Sequence, residues 1–151
     1  MKYIIDAYNL IGKLSSICLS HADKEDKLVS FLEKLPSKKH DSFMCVFDGK
    51  CKYSNHMSVY SRYRVKSVFT DPEQCADSYI VNYCMRKNNK TGFIVVSSDN
   101  EILSTLKKAR VKTLSCSEFL NYFNSYKQNH CDEKNVYLDD TDFWLNQFNS
   151  D

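Results

Sequence analysis

Short apolar runs alternate with helical periodicity along most of the chain. Five runs have the length and the β-branched or aromatic content of buried strands, and they cover residues 2–6, 43–48, 65–69, 93–97 and 111–114. Apolar residues at i, i+3, i+4 and i+7 predict a helix at residues 23–35, which Pro36 ends. Strands that alternate with helices predict an α/β fold with a parallel sheet.

Helix starts are marked by capping residues. In the stretch TDPEQCADSYIVNYCMRK, Asp71 suits an N-cap, Pro72 suits the first helical position, and Gln74 completes a capping box. This start places Asp77 in the second turn, at the margin of the apolar face. Further helices are predicted to begin at residues 99–100 and at Ser115, where Glu118 completes another box.

The length of 151 residues and the 42% hydrophobic content suit one domain. We predict the domain at residues 1–124, with residues 125–151 forming a linker and a C-terminal helix that docks on it. Leu138 can staple to Phe143 at the start of that helix. The chain has no run of about twenty apolar residues and no signal-peptide pattern at its N-terminus, so a cytoplasmic, non-membrane protein is expected.

Several kinds of chemistry lack support in the sequence. The seven cysteines show no Cys-x-x-Cys spacing, and the four histidines share no metal-ligand spacing. Reduced, mostly structural thiols are therefore expected. The three glycines form no phosphate-binding loop, and no Ser-His or Cys-His pairing indicates covalent catalysis.

Aspartates follow three of the predicted strands. Asp6, Asp48 and Asp99 come at the ends of YIID, CVFD and VVSSD. Because parallel strands end at one edge of a sheet, we expect these carboxylates to lie close together, with Asp77 near them. Crowded carboxylates repel unless a cation neutralises them, and oxygen ligands favour Mg²⁺ or Mn²⁺. Each acid alone is also consistent with a cap or turn, and the joint pattern is what indicates metal-assisted phosphoryl chemistry.

A basic, tyrosine-rich segment follows Asp48. Residues 132–151 hold six acids and one lysine, which leaves a net charge of +7 on residues 1–131 and suggests a polyanionic partner such as RNA. Residues 50–66 carry five basic groups and no acid. Such a segment is typical of single-stranded RNA binding, and equally of a solvated loop. The candidate RNA-binding residues are Lys50, Lys52, Tyr53, Arg62, Tyr63 and Arg64.

Four motifs in order, IIDAYNLIG, VFDG, VKSVFTDPEQCADSYI and VVSSDNEI, resemble the YacP-like branch of NYN domains, relatives of the PIN-domain nucleases. The resemblance extends to SCSEFLNYF and LDDTDFWLNQF and so covers nearly the whole chain. It implies a PIN-like three-layer fold with a central five-stranded parallel sheet flanked by helices. It also implies a metal-dependent endoribonuclease, in some members acting on mRNA engaged with the ribosome.

The resemblance implies roles for individual residues. Asp6, Asp77 and Asp99 would hold Mg²⁺ or Mn²⁺, Asp48 would assist, and Asn9 would position the substrate or support Asp6. Water, rather than a side chain, would be the nucleophile.

The chain departs from its relatives at two positions. Ala7 stands where relatives often have Gly, and Ser78 where they often have Glu, a loss for which Glu101 is a weak substitute. A catalytically weak or inactive RNA- or ribosome-binding module is therefore the alternative function. A haloacid-dehalogenase-like phosphatase is disfavoured, because Tyr8 occupies the position of its second aspartate.

Overall fold

A computed structural model of the chain describes residues 1–49 and 56–130. In these ranges the strands are β1 (Lys2–Asp6), β2 (Ser42–Phe47), β3 (Ser58–Arg62), β4 (Val65–Phe69), β5 (Phe93–Val96) and β6 (Lys112–Leu114). The helices are α1 (Ala7–Ile11), α2 (Lys24–Lys34), α3 (Ala76–Met85), α4 (Asn100–Lys108) and α5 (Cys116–His130). No helix in the described ranges is long and apolar enough to cross a membrane.

The strands form one mixed sheet in the order β3-β4-β2-β1-β5-β6. The five strands from β4 to β6 are parallel and correspond to the five predicted runs. β1 is central. Strands β2 to β4 lie on one side of it and β5 and β6 on the other, so the chain crosses over β1 between β4 and β5. Ligands of open α/β sheets bind at such a switch point, beside the carboxyl ends of the strands.

β3 is the element that the prediction of a five-stranded parallel sheet omits. It pairs antiparallel with β4, from Ser58 opposite Phe69 to Arg62 opposite Val65. The two-residue turn between these strands places Tyr63 at a φ of 51°, the left-handed backbone that tight hairpin turns require at their first position. Local hairpin pairing thus turns part of the predicted basic loop into an edge strand.

Helices cover both faces of the sheet and produce three layers. One core lies beneath α1, α2 and α5 and contains the aromatic cluster of Tyr3, Phe43, Phe119 and Phe123. The other core lies beneath α3 and α4, which bury their apolar faces against the opposite side of β1, β2 and β5. This arrangement confirms the predicted α/β class.

The predicted start of α3 at Asp71 is wrong. Residues 71–74 form a turn, in which the Gln74 amide donates to the Asp71 carbonyl at 2.9 Å, and the helix begins at Ala76 with Cys75 as its N-cap. The carboxylate of Asp71 instead accepts a 2.7 Å bond from the Met57 amide, just before β3. This tertiary partner takes the capping group away and moves Asp77 into the first turn of α3.

The predicted starts of α4 and α5 are confirmed. Asp99 is the N-cap of α4, and Ser115 and Glu118 form the reciprocal capping box of α5, with bonds of 2.7 and 3.1 Å. α5 continues to His130, so residues 125–130 are helical and do not begin a linker. The buried side chain of Phe123 and the absence of Gly or Pro from residues 116–130 favour this extension. The rest of the predicted linker and the predicted C-terminal helix lie outside the described residues.

Arg64 closes the C-terminus of α2. Its guanidinium donates to the carbonyls of Glu33 at 3.0 Å and Leu35 at 2.5 Å and to the hydroxyl of Ser37, and it lies 5.4 Å from the ring centroid of Phe43. The last carbonyls of a helix have no partner within the helix, so a planar multiple donor is well suited to them. Arg64 therefore connects the β3–β4 turn to α2.

We predict that Arg64→Ala lowers the free energy of unfolding by about 2–3 kcal/mol, because charged hydrogen bonds to partly buried carbonyls are lost. Arg64→Lys should restore little, since one ammonium group cannot replace the planar fork. Urea denaturation monitored by circular dichroism measures both effects.

Arg62→Ala is the matched control for this experiment. Its guanidinium pairs with Glu33 at 3.3 Å on the surface, where an ion pair contributes less than about 1 kcal/mol. Equal losses of stability in the Arg62 and Arg64 variants would contradict the capping role.

Candidate active site

Four aspartates converge at the carboxyl edge of the sheet. Asp6 ends β1, Asp48 follows β2, Asp77 lies in the first turn of α3, and Asp99 caps α4 just beyond β5. Their charges interact, because the charge of Asp77 acts on Asp6, and the charges of Asp99 and Asp48 act on Asp77. The structure thus brings the three acids at strand ends together with Asp77 of α3.

Asp6 is the buried member of the group, with 5% of its surface exposed. Its carboxylate accepts bonds from the side-chain amide of Asn9 at 2.5 Å and from the backbone amide of Asn9 at 3.5 Å, and it caps α1. Burial raises the pKa of Asp6 to about 6, because it outweighs the two bonds from Asn9 and is reinforced by the nearby carboxylate of Asp77. Asn9 therefore takes the supporting role predicted for it.

Ser97 is a member of this site that the sequence analysis missed. It is fully buried, and parallel pairing of Ile5 with Val96 places it beside Asp6. Its hydroxyl accepts bonds from the Asn9 side chain at 3.2 Å and the Asp99 amide at 3.1 Å, and it can donate to Asp6 at 3.5 Å. A buried hydroxyl directly after a strand, in VVSSD, is the sequence signal that could have identified it.

The other three carboxylates are more accessible. Asp77 and Asp99 are half-buried, and Asp48 is exposed. Burial raises the pKa of Asp77, and the charges of Asp99 and Asp48 raise it further. Asp99 uses one carboxylate oxygen to accept a 2.8 Å bond from the Glu101 amide. In the described part of the chain, no lysine or arginine pairs with Asp6 or Asp77, so no described cation compensates their charges.

The donor set fits a hard divalent cation bound largely through water. Carboxylate oxygens are the ligands that Mg²⁺ and Mn²⁺ prefer, and the mutual repulsion described above is what a cation would relieve. Within residues 1–49 and 56–130, however, no three His, Cys, Asp or Glu side chains are close enough to hold a metal directly. Mg²⁺ usually keeps several waters and takes one or two carboxylates, so the two observations are compatible.

The predicted RNA-binding residues separate into three groups. Arg64 is engaged at the end of α2, which leaves its guanidinium unavailable to phosphate. Arg62 lies on the surface beside Glu33, and Tyr63 is 87% exposed at the hairpin turn. The remaining three, Lys50, Lys52 and Tyr53, lie outside the described residues.

Two further polar residues bear on the strength of the site. The amide of Ser78 donates to the Cys75 sulfur at 3.5 Å, and its hydroxyl lies 3.1 Å from that sulfur, so Ser78 serves the start of α3. Glu101 is exposed in the first turn of α4. Position 78 therefore adds no fifth acid to the four aspartates.

Comparison with known proteins agrees with this architecture. The sequence-family model of the YacP-like NYN domain matches residues 3–145. A crystal structure of Rae1 (YacP) from Bacillus subtilis superposes with a TM-score of 0.66 at 20% identity, and covers 85% of this chain and 76% of that chain. Its W164L mutant gives 0.63 at 22% identity, with 85% and 77% covered. No curated protein matches the chain. Because the family model spans almost all of the sequence and the fold agrees, the chain belongs to the YacP-like NYN domain family, which has a PIN-like nuclease fold.

Proposed function

We propose that the protein is a divalent-metal-dependent endoribonuclease that cleaves single-stranded RNA with water as the nucleophile. Asp6, Asp77 and Asp99 form the proposed metal-binding centre, and Asp48 assists from the end of β2. The proposal extends to mRNA engaged with the ribosome and to a cytoplasmic location, in line with the family resemblance.

One observation carries this proposal. Asp6, Asp48 and Asp99, from separate parts of the chain, each interact electrostatically with Asp77 at the switch point of the sheet, and no basic side chain of the described residues pairs with Asp6 or Asp77. Burying uncompensated negative charge costs stability, so a fold keeps such a cluster where a cation or a reaction needs it.

The surrounding residues position this centre. Asn9 and Ser97 hold the Asp6 carboxylate, and Ser97 also binds the backbone of Asp99. When bound, Mg²⁺ or Mn²⁺ would acidify a water and stabilise the charge that develops on the phosphodiester. The accessible carboxylates of Asp48, Asp77 and Asp99 leave the centre open to a polymer substrate, and the exposed Arg62 and Tyr63 stay proposed RNA contacts.

A non-cleaving RNA- or ribosome-binding module is the second candidate function. It is favoured by Ser78, which replaces a family acid, and by the lack of a closed three-residue ligand set among residues 1–49 and 56–130. Binding of single-stranded RNA with a steep salt dependence, in the absence of cleavage with Mg²⁺ or Mn²⁺, would support this function instead.

We predict that Asp6→Asn, Asp77→Asn and Asp99→Asn each lower the rate of RNA cleavage by about a hundredfold or more, because each removes negative charge that would hold the metal ion. The measurement is Mn²⁺-dependent cleavage of a labelled single-stranded RNA under single-turnover conditions. Asp48→Asn should have a smaller effect, since Asp48 is exposed at the rim of the centre.

Asp26→Asn is the matched control, because Asp26 is an exposed acid on α2, away from the carboxyl edge. It should cleave like the wild type. Circular dichroism establishes that all variants are folded. Folded Asp77→Asn and Asp99→Asn variants that retain full activity would exclude the proposed centre.

A second prediction concerns stability without metal. The pKa of Asp6 is about 6 in the folded chain against an ordinary 3.8, so between these values the folded state binds more protons than the unfolded state. The contribution of Asp6 to stability therefore falls as the pH rises from about 4 to 6. At pH 7 in EDTA, Asp6→Asn should be more stable than the wild type, by at most about 3 kcal/mol.

The test compares urea denaturation of the two proteins from pH 4 to pH 7, so that contributions from groups that do not interact with Asp6 cancel in the difference. Added Mn²⁺ should stabilise the wild type more than Asp6→Asn, since a bound cation removes the repulsion. A difference in stability that does not depend on pH, or equal stabilisation by Mn²⁺, would contradict the account of Asp6.

A further inference from the structure

A groove of about 430 Å³ lies beside α3, away from the four aspartates. Tyr79 and Tyr83 form its aromatic wall, with Met57 and Gln74 at one end and Arg86 and Lys87 at the other. Because successive helical residues are about 100° apart, Tyr79 and Tyr83 lie on one flank of α3 and Asp77 lies on the other. The volume falls in the range of about 300–1,000 Å³ that is usual for ligand sites.

The groove extends from the carboxyl edge of the sheet to its amino edge. Gln74 belongs to the connection between the end of β4 and the start of α3, and Met57 precedes β3, whose first residue pairs with the last residue of β4. Tyr83, at the far end of α3, contacts Lys2 at the start of β1. Tyr83 is six residues beyond Asp77, a rise of about 9 Å along the helix. One end of the groove thus borders the edge that carries the candidate active site.

Tyr79 and Tyr83 form one aromatic surface. Their rings are nearly parallel, with 22° between their planes and 6.3 Å between their centroids. Lys2 donates a 2.7 Å bond to the Tyr83 hydroxyl, and the ammonium groups of Lys2 and Lys87 lie 5.0 and 4.9 Å from the centre of its ring. Both rings are half-buried and so keep part of their surface available to a ligand.

Positive charge surrounds this aromatic surface. Burial acts to raise the pKa of Tyr83, yet the hydrogen bond from Lys2 and the charges of Lys2, Lys87 and Lys66 together hold it below its ordinary value. Lys66, Arg86 and Lys87 are exposed. The residues that line the groove in the described part of the chain include no acid. An occupant of this groove should therefore be anionic.

We propose that the groove binds single-stranded RNA on one side of the bond to be cleaved, with bases on Tyr79 and Tyr83 and phosphates on Lys2, Lys66 and Lys87. The inference rests on the proposed ribonuclease function and names where its substrate lies. Aromatic rings with interleaved cations suit a strand whose bases are unpaired, because every base has a face that can stack. An acidic peptide matches the charge but makes less use of parallel rings and has no phosphodiester to present to the aspartates.

This path differs from the one that the sequence predicts. The predicted RNA-binding residues lie in the segment that contains the β3–β4 turn, with Tyr63 exposed at its tip, whereas Tyr79 and Tyr83 belong to α3. A substitution in each aromatic group therefore distinguishes the two surfaces.

The experiment measures binding of a fluorescently labelled oligouridylate to the full chain by anisotropy, in EDTA so that no cleavage intervenes. Tyr83→Leu should raise the Kd about fivefold or more, because loss of stacking on one base costs at least about 1 kcal/mol. Tyr83→Phe keeps the ring and should lose less binding than Tyr83→Leu. Lys87→Gln should weaken binding and reduce the slope of log Kd against log salt by about 1.

Two control substitutions have defined expectations. Lys108→Gln removes an exposed charge at the end of α4 and should leave Kd nearly unchanged. Tyr63→Leu should have a smaller effect than Tyr83→Leu. Thermal denaturation establishes that each variant is folded, and a duplex RNA of equal length should bind more weakly because its bases are paired.

The binding and cleavage measurements can reject the RNA-binding role of the groove and the nuclease function independently of each other. Cleavage by the wild type together with unchanged binding by Tyr83→Leu and Lys87→Gln would overturn the groove and leave the nuclease intact. Weakened binding by both variants, without cleavage by the wild type, would support the groove and reject the nuclease. Equal losses in Tyr83→Phe and Tyr83→Leu, a dominant effect of Tyr63→Leu, or Lys87-dependent binding of an acidic peptide in place of RNA would each overturn the proposal.

Discussion

The position of β1 between two parallel neighbours is the constraint on which the rest of the structure depends. Pairing Asp6 with Val46 of β2 and Ile5 with Val96 of β5 fixes where three strands end. Residues that are far apart in the chain therefore meet at one edge. The same pairing buries Asp6, so its negative charge lies where water cannot fully solvate it.

The protein stabilises this unfavourable charge only in part. Asn9 and Ser97 donate or can donate to the Asp6 carboxylate, yet burial and Asp77 still raise its pKa. The network orients the carboxylate without neutralising it. The described residues thus give this carboxylate a defined geometry and no positive charge, which a metal-dependent phosphoryl-transfer centre would obtain from its cation.

Positive and negative charge are separated on the two flanks of α3. Asp77 faces the acidic centre, whereas Tyr79 and Tyr83 border a groove that Lys87 lines, and the charges of Lys2 and Lys66 also act on Tyr83. A polyanion would be repelled by the bare carboxylates and attracted by the lysines. In the proposed function, the groove would hold a substrate strand by its bases and phosphates, the acidic centre would bind a cation, and α3 would connect the two sites.

Hydrophobic pattern predicts the five parallel strands because each is a short buried run, and it predicts α2 because its apolar face is unambiguous. The caps of α4 and α5 are predictable as well, since Asp99, Ser115 and Glu118 bind groups within a few residues of themselves. Asp71 follows the same local rule and misleads, because Met57 from another part of the chain binds its carboxylate. Arg64 has the positive charge that is typical of an RNA-binding residue, but its partners are carbonyls at the end of α2.

The amino-acid sequence by itself thus determined the α/β class, the order of the parallel strands along the chain and the three aspartates at strand ends, with Asp77 near them. These features depend on periodicity and on local chemistry, which the sequence carries directly. Tertiary structure alone decided the antiparallel edge strand, the burial and raised pKa of Asp6, the part played by Ser97 and the lysine-rich aromatic groove. Each of these depends on groups that are far apart in the sequence and that only folding brings together. Their separation along the chain does not indicate how close they lie once the strands pair.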